Sequence, residues 1–211
     1  MALRFPARGG DDFKPLSAGS HIGICQIVAD LGIQRGNDQY PDKRKVFIRF
    51  EIPAERVEYE RDGKKMEGPA VIGQAYTASM HKKANLRIFL EGWRGRKFTD
   101  EEAESFDIES ILGKPVMLNV VQNSKDGRVY SNIAGGSLLP KGLTAPVGEM
   151  EKIYYGPDSL LTFEKLPERI KEKINNQIIV KAATTTAPGN DGPEYTDDDL
   201  PAELQDEVVP F

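Results

Sequence analysis

Between residues 44 and 52 the side chains alternate, with Val46, Ile48, Phe50 and Ile52 on one side and Phe47, Arg49 and Glu51 on the other. This period of two suits a strand with one buried face, because a helical period would scatter the four apolar residues around its circumference. Comparable runs occur at 20–34, 70–79, 115–122 and 128–138. The first contains His21-Ile22-Gly23-Ile24-Cys25-Gln26-Ile27-Val28, whose embedded glycine permits a bend. Pro53 is expected to end the second strand, and Arg61-Asp62-Gly63-Lys64 to turn the chain into the third. Ser124-Lys125-Asp126-Gly127 is expected to join the last two strands as a hairpin.

The pattern between the third and fourth strands is helical. Over residues 80–93, Leu86, Phe89, Leu90 and Trp93 fall at i, i+3, i+4 and i+7, which places them on one core-facing stripe. Thr99-Asp100-Glu101-Glu102 matches a capping box, and Asp107 and Gly113 bracket a third helical turn. Three strands, a helix and two strands is the order of an OB-fold. The expected class is therefore mainly β, a five-stranded Greek-key barrel with a helix between strands 3 and 4.

Basic residues gather around the second strand (Lys43, Arg44, Lys45, Arg49), along and after the helix (Lys82, Lys83, Arg87, Arg94, Arg96, Lys97) and at the last hairpin (Lys125, Arg128). Tyr40, Phe47, Tyr76, Phe98 and Tyr130 interleave with them. Single-stranded nucleic acid requires this mixture, since cations track phosphates while unpaired bases stack on aromatic faces. Phe50, Phe89 and Trp93 read as core. Phe47, between Lys45 and Arg49 on its own side of the strand, reads as a ligand contact, while Tyr76 and Tyr130 fit either role. The expected DNA-binding set is Tyr40, Lys43, Arg44, Lys45, Phe47, Arg49, Tyr76, Lys82, Lys83, Arg87, Arg94, Arg96, Lys125, Arg128 and Tyr130.

Gly19-Ser20-His21-Ile22, Arg44-Lys45-Val46, the helical His81-Lys82-Lys83-Ala84-Asn85-Leu86-Arg87 with Trp93-Arg94-Gly95-Arg96, and Gly113-Lys114-Pro115 together resemble a family of bacteriophage single-stranded DNA-binding proteins. The resemblance covers most of residues 15–142, and the helix is its most specific part. It implies an OB-fold protein that coats and protects DNA exposed during replication, recombination or repair, and that brings in replication proteins through its C-terminal tail.

The tail itself, residues 182–211, holds Asp191, Glu194, Asp197, Asp198, Asp199, Glu203, Asp206 and Glu207 and no basic residue. Because the chain as a whole carries −5 and the tail −8, residues 1–181 carry +3. A mildly basic body with an acidic arm suggests an anionic ligand for the body and a tail that competes with it. Val208-Val209-Pro210-Phe211 adds a hydrophobic hook suited to a basic-rimmed pocket on another protein. This tail resembles that of bacterial single-stranded DNA-binding proteins, although the Asp197-Asp198-Asp199 run here stands apart from Pro210-Phe211. The partner-binding residues it implies are Asp197, Asp198, Asp199, Asp206, Glu207, Pro210 and Phe211.

The remaining segments divide into an N-terminal arm (1–18), the DNA-binding domain (19–142), an extension (143–181) and the disordered tail (182–211). In the extension, Pro167 opens a short helix whose Leu166, Ile170 and Ile174 form a narrow apolar stripe. It is expected to dock on its own barrel or on a neighbouring subunit, and Tyr154-Tyr155 either pack or line a DNA path. Cys25, the single cysteine, reads as a buried inert thiol. No stretch has the length or apolarity of a membrane span, and residues 1–10 lack the apolar core of a secretion signal, so a cytosolic protein is expected, in the host cytoplasm if phage-encoded. No phosphate-binding loop, cysteine pair or metal-binding histidine motif appears, so no enzyme activity, cofactor or metal is expected. An OB-fold adaptor that binds a partner protein and a recombination strand-annealing protein are the competing readings.

Overall fold

The structure, a computed structural model, describes residues 15–37, 40–61, 64–125 and 127–178. Five strands, β1 (Gly19–Gln34), β2 (Lys43–Arg61), β3 (Lys64–Thr77), β4 (Pro115–Lys125) and β5 (Arg128–Ser137), form an antiparallel sheet in the order β3-β2-β1-β4-β5. β1 makes the sheet curl into a half-barrel, because it changes partner along its length. It pairs with β4 over Gly19–Ile24 and with β2 over Ile24–Gln34. The handover falls beside Gly23, where a Cβ would lie 2.9 Å from Leu118 Cδ1 and 3.2 Å from Phe50 Cβ, so only glycine lets the sheet close this tightly.

The inner face carries the alternating residues of β2 as the sequence requires. Val46, Ile48, Phe50 and Ile52 join Cys25, Val28, Val116 and Leu118 in the main core. Burial pushes the Cys25 thiol far above its ordinary pKa, consistent with an unreactive thiol. Helix α1 (Asn85–Arg94) lies against this core with Leu86, Phe89, Leu90 and Trp93 buried. Phe50 makes tilted and edge contacts with Phe89 and Trp93 at 6.0 and 5.5 Å, and the Trp93 indole donates to the Pro115 carbonyl at 2.8 Å. α2 (Asp100–Glu104) begins with the expected capping box at Thr99, and a 3-10 turn at Ile108–Ile111 follows, capped by the Asp107 carboxylate.

Several boundaries depart from the sequence reading. Pro53 does not end β2, which continues to Arg61, because the register shifts between Ile52 and Arg56 and takes the proline out of the hydrogen-bonded ladder. β3 accordingly starts at Lys64, and Arg61 pairs with Lys64 across the turn. α1 starts at Asn85 rather than residue 80. The Ser79 hydroxyl accepts from the His81 N–H and His81 Nδ1 from the Lys83 N–H, local bonds that offer the backbone an alternative to the helix.

The extension lies across the outer face of the sheet. Its strand β6 (Ile153–Tyr155) pairs in parallel with Ile27–Ala29 of β1. Helix α3 (Glu168–Asn175) buries Ile170 and Ile174, and with Leu166 and Ile153 these cover Ile27, Ala29 and Leu31 in a second apolar cluster. The docking helix thus packs on its own sheet, and the extension also adds a strand that the sequence reading missed. Ile170→Ala is expected to cost about 2–5 kcal/mol by leaving a cavity, which lowers the thermal midpoint and raises hydrogen exchange at β6 before the main core. Unchanged exchange at β6 would contradict this packing. Among the described residues no helix is long and apolar enough to cross a membrane.

Candidate nucleic-acid interface

The outer face of β2, read from the sequence as the ligand face, is instead the anchorage of the extension. Arg49 Nε donates to Gln26 Oε1 at 2.8 Å, and the Gln26 amide donates to the Glu151 carbonyl. Burial lowers the Arg49 pKa to about 10, while the neighbouring Glu51 charge opposes that shift. Glu51 is 1% exposed, and its Oε2 accepts from the Glu149 and Met150 N–H groups at 3.1 and 2.9 Å. Arg49 therefore leaves the set of DNA contacts. It orients the Gln26 amide that holds Glu151 over the sheet.

Phe47 is half-buried rather than open. Its ring lies over Gly73, where a Cβ would come 2.5 Å from Cζ, and its edge packs with Ala75, Tyr155 and Phe163 against the second cluster. Tyr155 and Phe163 are 5.8 Å apart, so Tyr155 is a packing residue. Tyr154 points the other way, against the main core.

Two further expected contacts are buried. Tyr76 is 5% exposed and stacks on Phe89 at 5.3 Å, because it shares the inward face of β3 with Ile72. Arg87, also 5% exposed, donates to Glu91 Oε1 at 2.9 Å and to the carbonyls of Met80 and Phe98 at 3.0 and 2.8 Å. It ties α1 to the segments on either side of it, and neither residue reaches a ligand.

Ion pairing separates the remaining cations. Arg44 is exposed but paired with Asp30, which raises its pKa. Arg94 lies over the Phe98 ring at 4.0 Å and pairs with Glu102 at 3.2 Å; Arg96 meets the same carboxylate at 2.6 Å. Lys82 pairs with Asp100 at 3.3 Å. Lys83 is exposed at the turn before α1, and half-buried Tyr40 bonds through its backbone to Asn37 beside the β1–β2 connection. In contrast, Lys43, Lys45, Lys125 and Arg128 show no ion pair among the described residues.

Glu102 also receives the Thr99 N–H, and these contacts, Arg96 foremost, hold its pKa at about 2. A carboxylate whose folded pKa is depressed stabilises the fold above its ordinary pKa and loses that contribution as pH falls toward the folded value. Stability is therefore expected to decline from about pH 4.5 to about pH 2, and Glu102→Gln to flatten that decline. Parallel urea-unfolding curves for both proteins across this window would contradict the assignment.

The β4–β5 hairpin brings two of these cations, Lys125 and Arg128, and an aromatic together. Asn123 faces Tyr130, Lys125 faces Arg128 and Val121 faces Asn132, so all six share one face. Tyr130 is 47% exposed with Lys125 and Arg128 beside it, and Val121 is 38% exposed. At the hairpin's base, Gln122 and Ser131 point to the other face and donate to the Leu16 carbonyl at 2.9 and 2.7 Å, which fixes its orientation. The β2–β3 hairpin offers a second aromatic that the sequence reading passed over. Tyr59 and Met66 face each other across it, 43% and 44% exposed, and the next pair, Glu60 and Lys65, belongs to the opposite face. Its signal was the period-two pattern beyond Pro53, which assigning that proline as a strand end had obscured.

The tail residues Asp197, Asp198, Asp199, Asp206, Glu207, Pro210 and Phe211 lie outside the described residues. No protein-family model matches the chain, and no curated protein is significantly similar to it.

Proposed function

We propose that the chain is an OB-fold protein that binds single-stranded DNA without sequence preference, coating and protecting it during phage DNA replication, recombination or repair. The observation that carries this reading is Tyr130, exposed next to the Lys125–Arg128 pair on one face of the β4–β5 hairpin. A base stacks on such a ring while the neighbouring cations meet adjacent phosphates. In OB-folds the loop between strands 4 and 5 and the loop between strands 1 and 2 flank the ligand. The second of these is where Lys43 and Lys45 stand, with Tyr40 beside them. The strand order, the division of β1 between β2 and β4, and the placement of α1 between β3 and β4 support the OB-fold reading.

The acidic tail serves in this reading as an intramolecular competitor for the cationic surface and as the contact for replication or recombination proteins. A salt titration of binding to an oligo(dT) of about 30 nucleotides, with duplex as competitor, tests both parts. Binding is expected to weaken steeply with salt, to survive duplex, and to tighten at low salt when the chain is cut after Lys181. Absence of binding by both forms at low salt would overturn the reading in favour of an adaptor that binds a partner protein. Equal affinities of the two forms at low salt would remove the competing role of the tail.

A further inference from the structure

The β2–β3 hairpin repeats, in its register, the arrangement of the β4–β5 hairpin. In the β4–β5 hairpin Tyr130 stands two positions from a closing pair of cations, Lys125 and Arg128, on one face. In the β2–β3 hairpin Tyr59 stands two positions from the closing pair Arg61 and Lys64, and strand alternation places these three on one face with Val57, Met66 and Gly68. Glu58, Glu60 and Glu67 belong to the reverse face, together with Lys65 and with Arg56, which Glu67 and Glu149 hold at 3.1 and 2.7 Å. The ladder from Arg56 to Pro69 is therefore sorted by charge. Its aromatic side carries cations, and its carboxylates lie behind.

Tyr59 is also set in place. Its ring lies against Gly68, where a Cβ would come 3.1 Å from Cε1, so glycine lets the ring rest on the neighbouring strand while the residue stays 43% exposed. A stacking platform needs both properties, a ring held in one orientation and a surface open to a base. Val57 packs on the main core, and Tyr59 continues the same face past the core's edge, which is why it meets solvent. β2 and β4 both run antiparallel to β1, so the two hairpins leave the sheet at the same end, beyond Gly19. β3 and β5 approach each other across the open side of the half-barrel, which makes the hairpins neighbours.

We propose that the β2–β3 hairpin is a second contact for single-stranded DNA, in which Tyr59 stacks on a base and Arg61 and Lys64 meet adjacent phosphates. This rests on the single-strand reading above and adds a site to it. Binding of the full chain and its variants to an oligo(dT) of about 30 nucleotides, followed by anisotropy over a range of salt, tests it. Tyr59→Leu, which keeps apolar bulk but no ring, is expected to raise Kd about 5- to 150-fold, the loss of one stacked base, while Tyr59→Phe keeps wild-type affinity. In a Tyr130→Ala background Tyr59→Leu is expected to lose a further factor of the same size, since separate contacts multiply. Arg61→Glu with Lys64→Glu is expected to make the slope of log K against log salt shallower by about 1.4. Wild-type affinity in Tyr59→Leu, or an equal loss in Tyr59→Phe, would overturn the proposal. A loss of affinity in Tyr59→Leu that comes with a lowered thermal midpoint would also overturn it, by assigning the ring to the fold. Failure of the wild type to bind would remove the single-strand reading itself, whereas wild-type binding that Tyr59→Leu leaves unchanged would remove only the second contact.

Discussion

Tyr130→Ala is expected to weaken binding to oligo(dT) by about 1–3 kcal/mol, roughly 5- to 150-fold in Kd, through loss of one stacked base. Adding Lys125→Glu and Arg128→Glu should deepen the loss well beyond that of the aromatic alone, because two phosphate contacts become two repulsions. The charge changes leave a second mark. Each phosphate contact contributes about 0.7 to the slope of log K against log salt for single strands, so the charge-reversed hairpin should show a slope shallower by about 1.4. Tyr76→Phe serves as the control, since that ring is buried on Phe89 and its loss of a hydroxyl should leave DNA affinity unchanged. Wild-type affinity and slope in the triply substituted protein would show that the hairpin is not the interface. Lys125, Arg128 and Tyr130 sit at an exposed hairpin end, and circular dichroism should confirm that the fold is intact before binding is measured.

Phe50→Ala is expected to have the largest effect on stability. Phe50 is fully buried at the centre of the main core, in ring contact with Phe89 and Trp93 and packed beside Gly23. Truncating a buried phenylalanine costs about 3–5 kcal/mol, the transfer term plus the cavity left behind. For a domain of this size each kcal/mol lowers the thermal midpoint by about 2–4 °C, so a fall of roughly 6–20 °C is expected by scanning calorimetry. A fall of less than about 2 °C would mean that α1 does not pack on β2 as described.

The same strand shows how differently its two faces could be read. Val46, Ile48, Phe50 and Ile52 announce a buried face by alternation alone, and the structure buries all four. Phe47, Arg49 and Glu51 alternate just as cleanly, but polarity does not say what covers them. Residues nearly one hundred positions later do so, through the Glu51 carboxylate and the Gln26–Arg49 pair. A ladder of polar side chains facing solvent and one facing a second layer have the same spacing. Only the long-range backbone donors of Glu149 and Met150 distinguish them.

Cations followed the same rule. Arg87 and Arg96 are both arginines near one helix, but one is buried by two carbonyls and a carboxylate while the other is exposed beside Glu102. Their separation in the chain gave no hint of this, because burial depends on where α1 lands on the sheet. Where Lys125, Tyr130 and Arg128 stand relative to one another follows from the hairpin alone, because a tight hairpin sets its own register and register sets which side chains share a face.

What the sequence alone determined about this protein is local: the alternation of the strands, the helical stripe of α1, the Thr99 capping box, and the hairpin turns. Each depends on contacts within a few residues, where covalent spacing constrains geometry. What only the tertiary structure decided is the fate of each polar face: that Glu51 and the Arg49–Gln26 pair hold the extension, that Arg87 and Tyr76 are interior, and that the β4–β5 hairpin cations meet no carboxylate among the described residues. Those outcomes turn on which distant backbone groups and charges arrive beside a residue, and desolvation or pairing by such neighbours is worth more than any preference the side chain carries by itself.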